Sequence, residues 1–119
     1  MNNTSSEPLI LHVLVRKTAT GVEAHCLEID HLTEALTPDE ALSDIADLVR
    51  SQFVVVRREK DLDNLFFPAP PDEWRVLARA RLVGSRFVDL HDDEAENDLP
   101  PIPVAATGLK LQEFWVDST

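Results

Sequence analysis

Ten positions, residues 25–34, hold His25, Cys26, Glu28, Asp30, His31 and Glu34. Imidazole, thiol and carboxylate groups in one short stretch are the types that ligate transition metals or move protons. What they can do together depends on the backbone that spaces them. In an extended segment of about 3.3 Å per residue, His25 and His31 stand about 20 Å apart. His25 and Cys26 are neighbours and point to opposite faces of a strand. Cys26, Glu28 and Asp30 share a face, but at intervals of about 6.6 Å they diverge. Spacing therefore predicts no metal site, and Cys26 reads as a small buried residue beside Val22 and Ala24 rather than a reactive thiol. Two-metal phosphodiester chemistry needs carboxylates converging on cations about 3.5–4 Å apart, and residues 9–16 supply none. There is no Gly-x-Ser-x-Gly elbow, and three glycines leave no phosphate-cradling loop. The expectation is a protein with no catalytic residues, no metal and no cofactor.

The composition narrows the partners. Twenty-two acids against eleven Lys and Arg give a net charge of −11, a field that repels phosphate backbones and acidic lipid surfaces. Direct nucleic-acid binding is not expected, and a basic protein is the partner such a field attracts. Residues 89–98, "DLHDDEAEND", concentrate six of the acids without a base. The apolar fraction of 44% over 119 residues suits one domain. No apolar run is long enough to span a bilayer, and the N-terminus lacks the order of a secretory signal, so a cytoplasmic protein with no membrane partner is expected. A single cysteine forms no internal disulfide.

The elements that must position these residues follow from periodicity and punctuation. "LILHVLVR" (9–16) and "VEAHCLEI" (22–29), joined by "KTATG", read as a hairpin, and "HLTEAL" (31–36) as a short third strand. Thr37-Pro38-Asp39-Glu40 then starts a helix, with Thr37 as N-cap, Pro38 in the first turn and Glu40 completing a capping box. Leu42, Ile45, Val49, Phe53 and Val56 recur at helical steps, leaving Asp44, Asp47 and Arg50 outward. Arg57, Arg58 and Lys60 suit its C-terminal end. After Pro68, Pro70 and Pro71, "DEWRVLARARLV" predicts a second helix reaching to near Gly84, with Trp74, Leu77, Ala78 and Leu82 along one side. "RFVDL" (86–90) and "LKLQEFWV" (109–116) read as strands. The predicted fold is α+β: a small antiparallel sheet of three N-terminal strands plus a C-terminal strand, packed by one long and one shorter helix. The single domain 1–119 divides into a β-β-β-α core at 9–57 and an extension at 65–119 that carries the acidic loop 89–98.

The hairpin, "EAHCLEID", the polar strand "LTEAL" and "TPDEALSDIADLVRSQF" together resemble the HicB-like family of antitoxin-type domains over residues 9–56. The resemblance implies a partial RNase H-like fold without nuclease residues. It also implies a protein-binding role, since many members neutralise a small basic RNase toxin, HicA. Members often carry a separate C-terminal DNA-binding segment, but no basic helix-turn-helix or ribbon-helix-helix pattern follows residue 84 here. Glu34-Ala35-Leu36 also stand where the family pattern has a glycine. The functional expectation is a non-catalytic, antitoxin-like binding domain, homo-oligomeric, that masks a basic partner such as a HicA-like toxin through Glu28, Asp30 and Glu34. The run 89–98 is a second candidate surface. Two other readings are a structural homo-oligomer whose strand 109–116 adds to a neighbour's sheet, and a metal-dependent RNase H-like nuclease.

Overall fold

Three consecutive residues, Val13, Leu14 and Val15, are almost completely buried. A strand buried on both faces reads as a continuous apolar run and must lie inside its sheet. That strand is β1 (Leu9–Lys17). The computed structural model describes residues 9–59, 66–90 and 108–116. Its elements in order are β1, β2 (Val22–Cys26), β3 (His31–Ala35), α1 (Pro38–Glu59), α2 (Pro71–Arg79), β4 (Arg81–Asp89) and β5 (Gly108–Trp115). They form one α+β unit around a five-stranded sheet ordered β3-β2-β1-β5-β4.

The sheet is mixed, which corrects the expected antiparallel one. β1–β2, β2–β3 and β4–β5 pair antiparallel, whereas β5 lies parallel to β1 with Leu9 opposite Leu109 and Val15 opposite Trp115. Two helices and three strands separate β1 from β5, so no tight turn dictates their relative direction, and a parallel pair needs such a long connection. β5 consequently has both edges paired, and the open edges belong to β3 and β4. The reading in which strand 109–116 offers a free edge to a neighbour does not fit this order.

α1 follows the predicted pattern. The Thr37 hydroxyl accepts from the Glu40 amide at 3.2 Å and donates to the Glu40 carboxylate at 3.1 Å. Here the Glu40 side chain meets the Thr37 hydroxyl rather than the Thr37 amide of the usual capping box. Ala41, Leu42, Ile45, Val49, Phe53 and Val56 pack on Leu11, Val13, Val15, Val22, Ala24, Cys26, Leu109 and Leu111, the alternate residues of the strands that face the helix. Asp44 and Asp47 are exposed, and the Arg50 guanidinium donates to the Asp89 carbonyl at 3.1 Å. The side chains of Arg57 and Arg58, Lys60, and positions 91–98 of the acidic run lie outside the described residues.

The second helix is shorter than predicted. α2 stops at Arg79, Ala80 is extended, and β4 begins at Arg81, so Leu82 belongs to a strand rather than to the helix face. "RLVGSRFVD" carries two valines and a phenylalanine, which favour strands, and a glycine, which disfavours a helix interior. Pairing with β5 along its whole length then decides the matter. The helix turns Trp74, Val76 and Leu77 inward, and Ala78 is exposed. No helix among the described residues is long and apolar enough to cross a membrane.

Close approach fixes Gly21, where an added Cβ would lie 2.1 Å from the carbonyl oxygen of Ala35. At Gly84 the same atom would meet only the Glu113 carboxylate at 3.6 Å. Gly21→Ala is expected to destabilise the protein by roughly 1–3 kcal/mol through overpacking. Gly84→Ala should stay within about 0.5 kcal/mol of the parent. Urea unfolding of the two variants compares them directly, and equal stabilities would refute the assignment of Gly21 to a close backbone contact.

Candidate functional site

β1 alternates, so Val13 and Val15 face α1 while His12, Leu14 and Arg16 face the other side. That second face also receives His25, one residue before Cys26 on β2. A layer formed by Ala69 and α2 covers it, packing Trp74, Val76 and Leu77 over Leu14, Leu27 and Phe114. The layer is tied down by backbone bonds. The Leu27 amide donates to the His12 carbonyl at 3.0 Å, the Ala69 amide to the Leu27 carbonyl at 2.8 Å, and the Trp74 indole to the Ala69 carbonyl at 3.0 Å.

The polar groups of this face converge on Glu73 of α2. Its Oε1 lies 2.5 Å from Arg16 Nη2 and 2.9 Å from His25 Nδ1. His25 Nε2 lies 2.7 Å from the Asp30 carboxylate, and His25 is only 5% exposed. Ionised carboxylates accept but do not donate, so both His25 nitrogens have to carry a proton for the two contacts to be hydrogen bonds. Arg16 Nε lies 3.3 Å from Glu23 but out of line for a hydrogen bond, and it is buried without an acceptor. Beside this network, Glu28 Oε1 accepts from the His12 amide at 2.8 Å and Oε2 contacts His12 Nδ1 at 2.5 Å. The His12 ring lies between Phe114, stacked at 5.7 Å, and Trp74, edge-on at 6.2 Å.

The geometry corrects the extended reading of residues 24–36. β2 ends at Cys26, residues 27–30 turn, and Asp30 adopts φ 54, a left-handed conformation that Asp tolerates better than most residues. His31 therefore sits directly across the β2–β3 ladder from Cys26, and His25 across from Leu32. The separation of about 20 Å inferred for an unbroken strand does not apply, yet the register still sets the two histidines on opposite faces. Glu28, Asp30 and Glu34 do not converge. Glu28 binds His12, Asp30 binds His25, and Glu34, exposed on β3, accepts from the hydroxyls of Thr18 and Thr20 at 2.5 and 3.2 Å. Among the described residues no three His, Cys, Asp or Glu side chains are grouped to hold a metal.

His12, Arg16 and Glu73 are the participants that sequence reasoning missed. A polar residue at alternate positions of an otherwise apolar strand marks His12 and Arg16 as residues of a second, less apolar face. Nothing local marks Glu73, which lies 57 residues from Arg16 and 48 from His25. Cys26, by contrast, is where the sequence put it: fully buried among core residues, with its thiol pushed up to about 12 by burial and, secondarily, by the Glu28 charge.

Two expectations follow. Glu73→Ala strips the acceptor from His25 Nδ1 and Arg16 together, so it should cost roughly 1–3 kcal/mol in urea unfolding and red-shift the Trp74 emission as α2 loosens. An unchanged midpoint and spectrum would show that α2 is held by its apolar contacts alone. For Cys26, the folded pKa is raised from an ordinary 9.0, so above that pH the unfolded chain releases a proton that the folded chain keeps. Stability should therefore fall as pH rises from about 9 towards 12, by up to about 1.4 kcal/mol per unit. The chain has no tyrosine to obscure the window. Cys26→Ala should flatten that limb of the profile. No family model, no curated protein and no solved structure matches this chain.

Proposed function

We propose that this chain is a non-catalytic, HicB-like, antitoxin-like domain of the cytoplasm that masks a small basic protein, of the HicA ribonuclease-toxin kind. The observation that carries the proposal is the acidic open edge of the sheet. β3 is an edge strand, its free backbone groups are a template for strand addition, and Asp30 and Glu34 are exposed along it. Leu32 and Leu36, exposed at 51% and 78%, add apolar contact area beside those charges. A net charge of −11 steers a cationic partner towards any such edge. The order of three strands and a capped helix over residues 9–56, which carries the family resemblance, supports the same reading. Of the three acids proposed as contacts, Glu34 is the one whose charge is best placed. Glu28, with 18% of its side chain exposed, also serves the fold through His12.

Affinity capture on the full chain from its native lysate, followed by a salt gradient, tests the proposal. A small basic protein should elute at high salt, and its ribonuclease activity should be suppressed when the purified chain is added back. Glu34→Lys should move its elution to lower salt, with only the small loss of stability that goes with two exposed hydrogen bonds from Thr18 and Thr20. Capture of nothing basic, or elution that ignores both salt and the substitution, would overturn the reading.

A further inference from the structure

β4 closes one end of the sheet order, and its outer edge has no partner among the described residues. An edge strand in this state presents backbone N–H and C=O groups for pairing. Two large apolar side chains stand exposed on the face of β4 that lies on the α2 side: Leu82 at 54% and Phe87 at 60%. Their shared face follows from the ladder, since Leu82 lies opposite Phe114 and Phe87 opposite Lys110, both on alternate positions of β5. Phe87 leans over Gly108, where an added Cβ would lie 2.4 Å from its Cζ. Beside Leu82, a shallow hollow of about 280 Å³ bordered by Ser85, Lys110 and Gln112 leaves room for an aromatic ring from another strand. On the other face, Arg86 lies opposite Leu111 and Gly84 opposite Glu113, and Arg86 Nε is 3.4 Å from the Glu113 carboxylate.

This strand is complementary to itself. Two copies related by a two-fold axis perpendicular to the sheet pair their β4 strands antiparallel, and each face runs on into the same face of the other copy. Residues that meet must therefore point to the same face. With the axis at Ser85, Arg86 of one copy meets Gly84 of the other. Phe87 then meets Leu82, because Val83 is the extra residue of the bulge between Leu82 and Gly84. Both exposed apolar side chains enter symmetric cross-strand contacts. Gly84 carries no side chain, so Arg86 can reach over it to Glu113 of the second copy, two strand spacings or about 9.6 Å away between Cα atoms. Opposite charges thus alternate across the junction. Neighbouring registers do worse: an axis at Arg86 sets Arg86 against itself, an axis at Gly84 sets it against Arg81, and an axis at Phe87 leaves Leu82 with no opposite residue on β4.

We infer that β4 is a homodimer interface, at which a second copy of this chain adds its β4 antiparallel to the first about Ser85 and joins two five-stranded sheets into one continuous sheet. The inference is independent of the masking function, because β3 lies at the opposite end of the sheet order and stays open in each copy.

Sedimentation equilibrium of the full chain across the micromolar range, joined to disulfide trapping, is the test. A monomer–dimer equilibrium is expected. Leu82→Lys, at a side chain already half exposed, should weaken it about tenfold through the loss of two symmetric cross-strand contacts. Ser85→Cys should be trapped by diamide as a covalent dimer, since the axis brings the two thiols within disulfide range while Cys26 stays buried. Phe87→Cys faces Leu82 of the second copy and should not trap, and neither should Leu32→Cys on the exposed β3 edge. A monomer at every concentration, trapping of Phe87→Cys or Leu32→Cys as readily as Ser85→Cys, or undiminished dimerisation of Leu82→Lys would each overturn the proposal.

Discussion

The central strand has to be covered on both faces, and most of the architecture follows from that requirement. β1 buries Val13, Leu14 and Val15 in succession, so neither of its faces tolerates water. Its two edges are taken by β2 and β5. α1 covers the face that carries Val13 and Val15 with a regular apolar stripe, whose burial is worth roughly 1.5–3 kcal/mol for each large side chain. The face that carries Leu14 has no comparable helix available. It is closed by Ala69 and nine residues of α2, none of which is itself fully buried.

A thin cover of this kind needs something to position it. Glu73 does so by meeting Arg16 from β1 and His25 from β2, while Asp30 engages the other side of His25 from the turn. Such networks add little net stability over well-packed apolar groups, because desolvation offsets much of the attraction. Their effect is on geometry: a helix slid by one turn would take the Glu73 carboxylate away from both Arg16 and His25 Nδ1. The same network explains the conformation of residues 27–30, where Glu28 and Asp30 are drawn back onto the sheet instead of projecting from an extended strand. Two acids that look like a binding motif in one dimension thus also serve as struts in three.

This division bears on function. The masking surface proposed for the β3 edge uses exposed charge on an element that the network holds from behind. Substitutions at Asp30 or Glu28 would therefore combine a change of surface charge with a change of fold, whereas Glu34 separates the two, since its fold contacts are with the exposed hydroxyls of Thr18 and Thr20.

By itself the sequence determined the N-terminal hairpin, the third strand, the capped start of α1, the buried stripe of that helix and the inert, buried character of Cys26. Each of these rests on signals that act within a few residues: alternation, helical spacing, a cap, a small apolar side chain beside others. Only the tertiary structure decided the parallel placement of β5, the assignment of residues 81–84 to the start of β4 rather than to the end of a helix, the turn at 27–30 and the assembly of His25, Arg16, Asp30 and Glu73. Those outcomes depend on ladder pairing and charge contacts between segments as distant in the chain as Leu9 and Leu109 or Arg16 and Glu73. The energy that selects them exists only once the distant strand or carboxylate has arrived, so no local pattern in the chain records it.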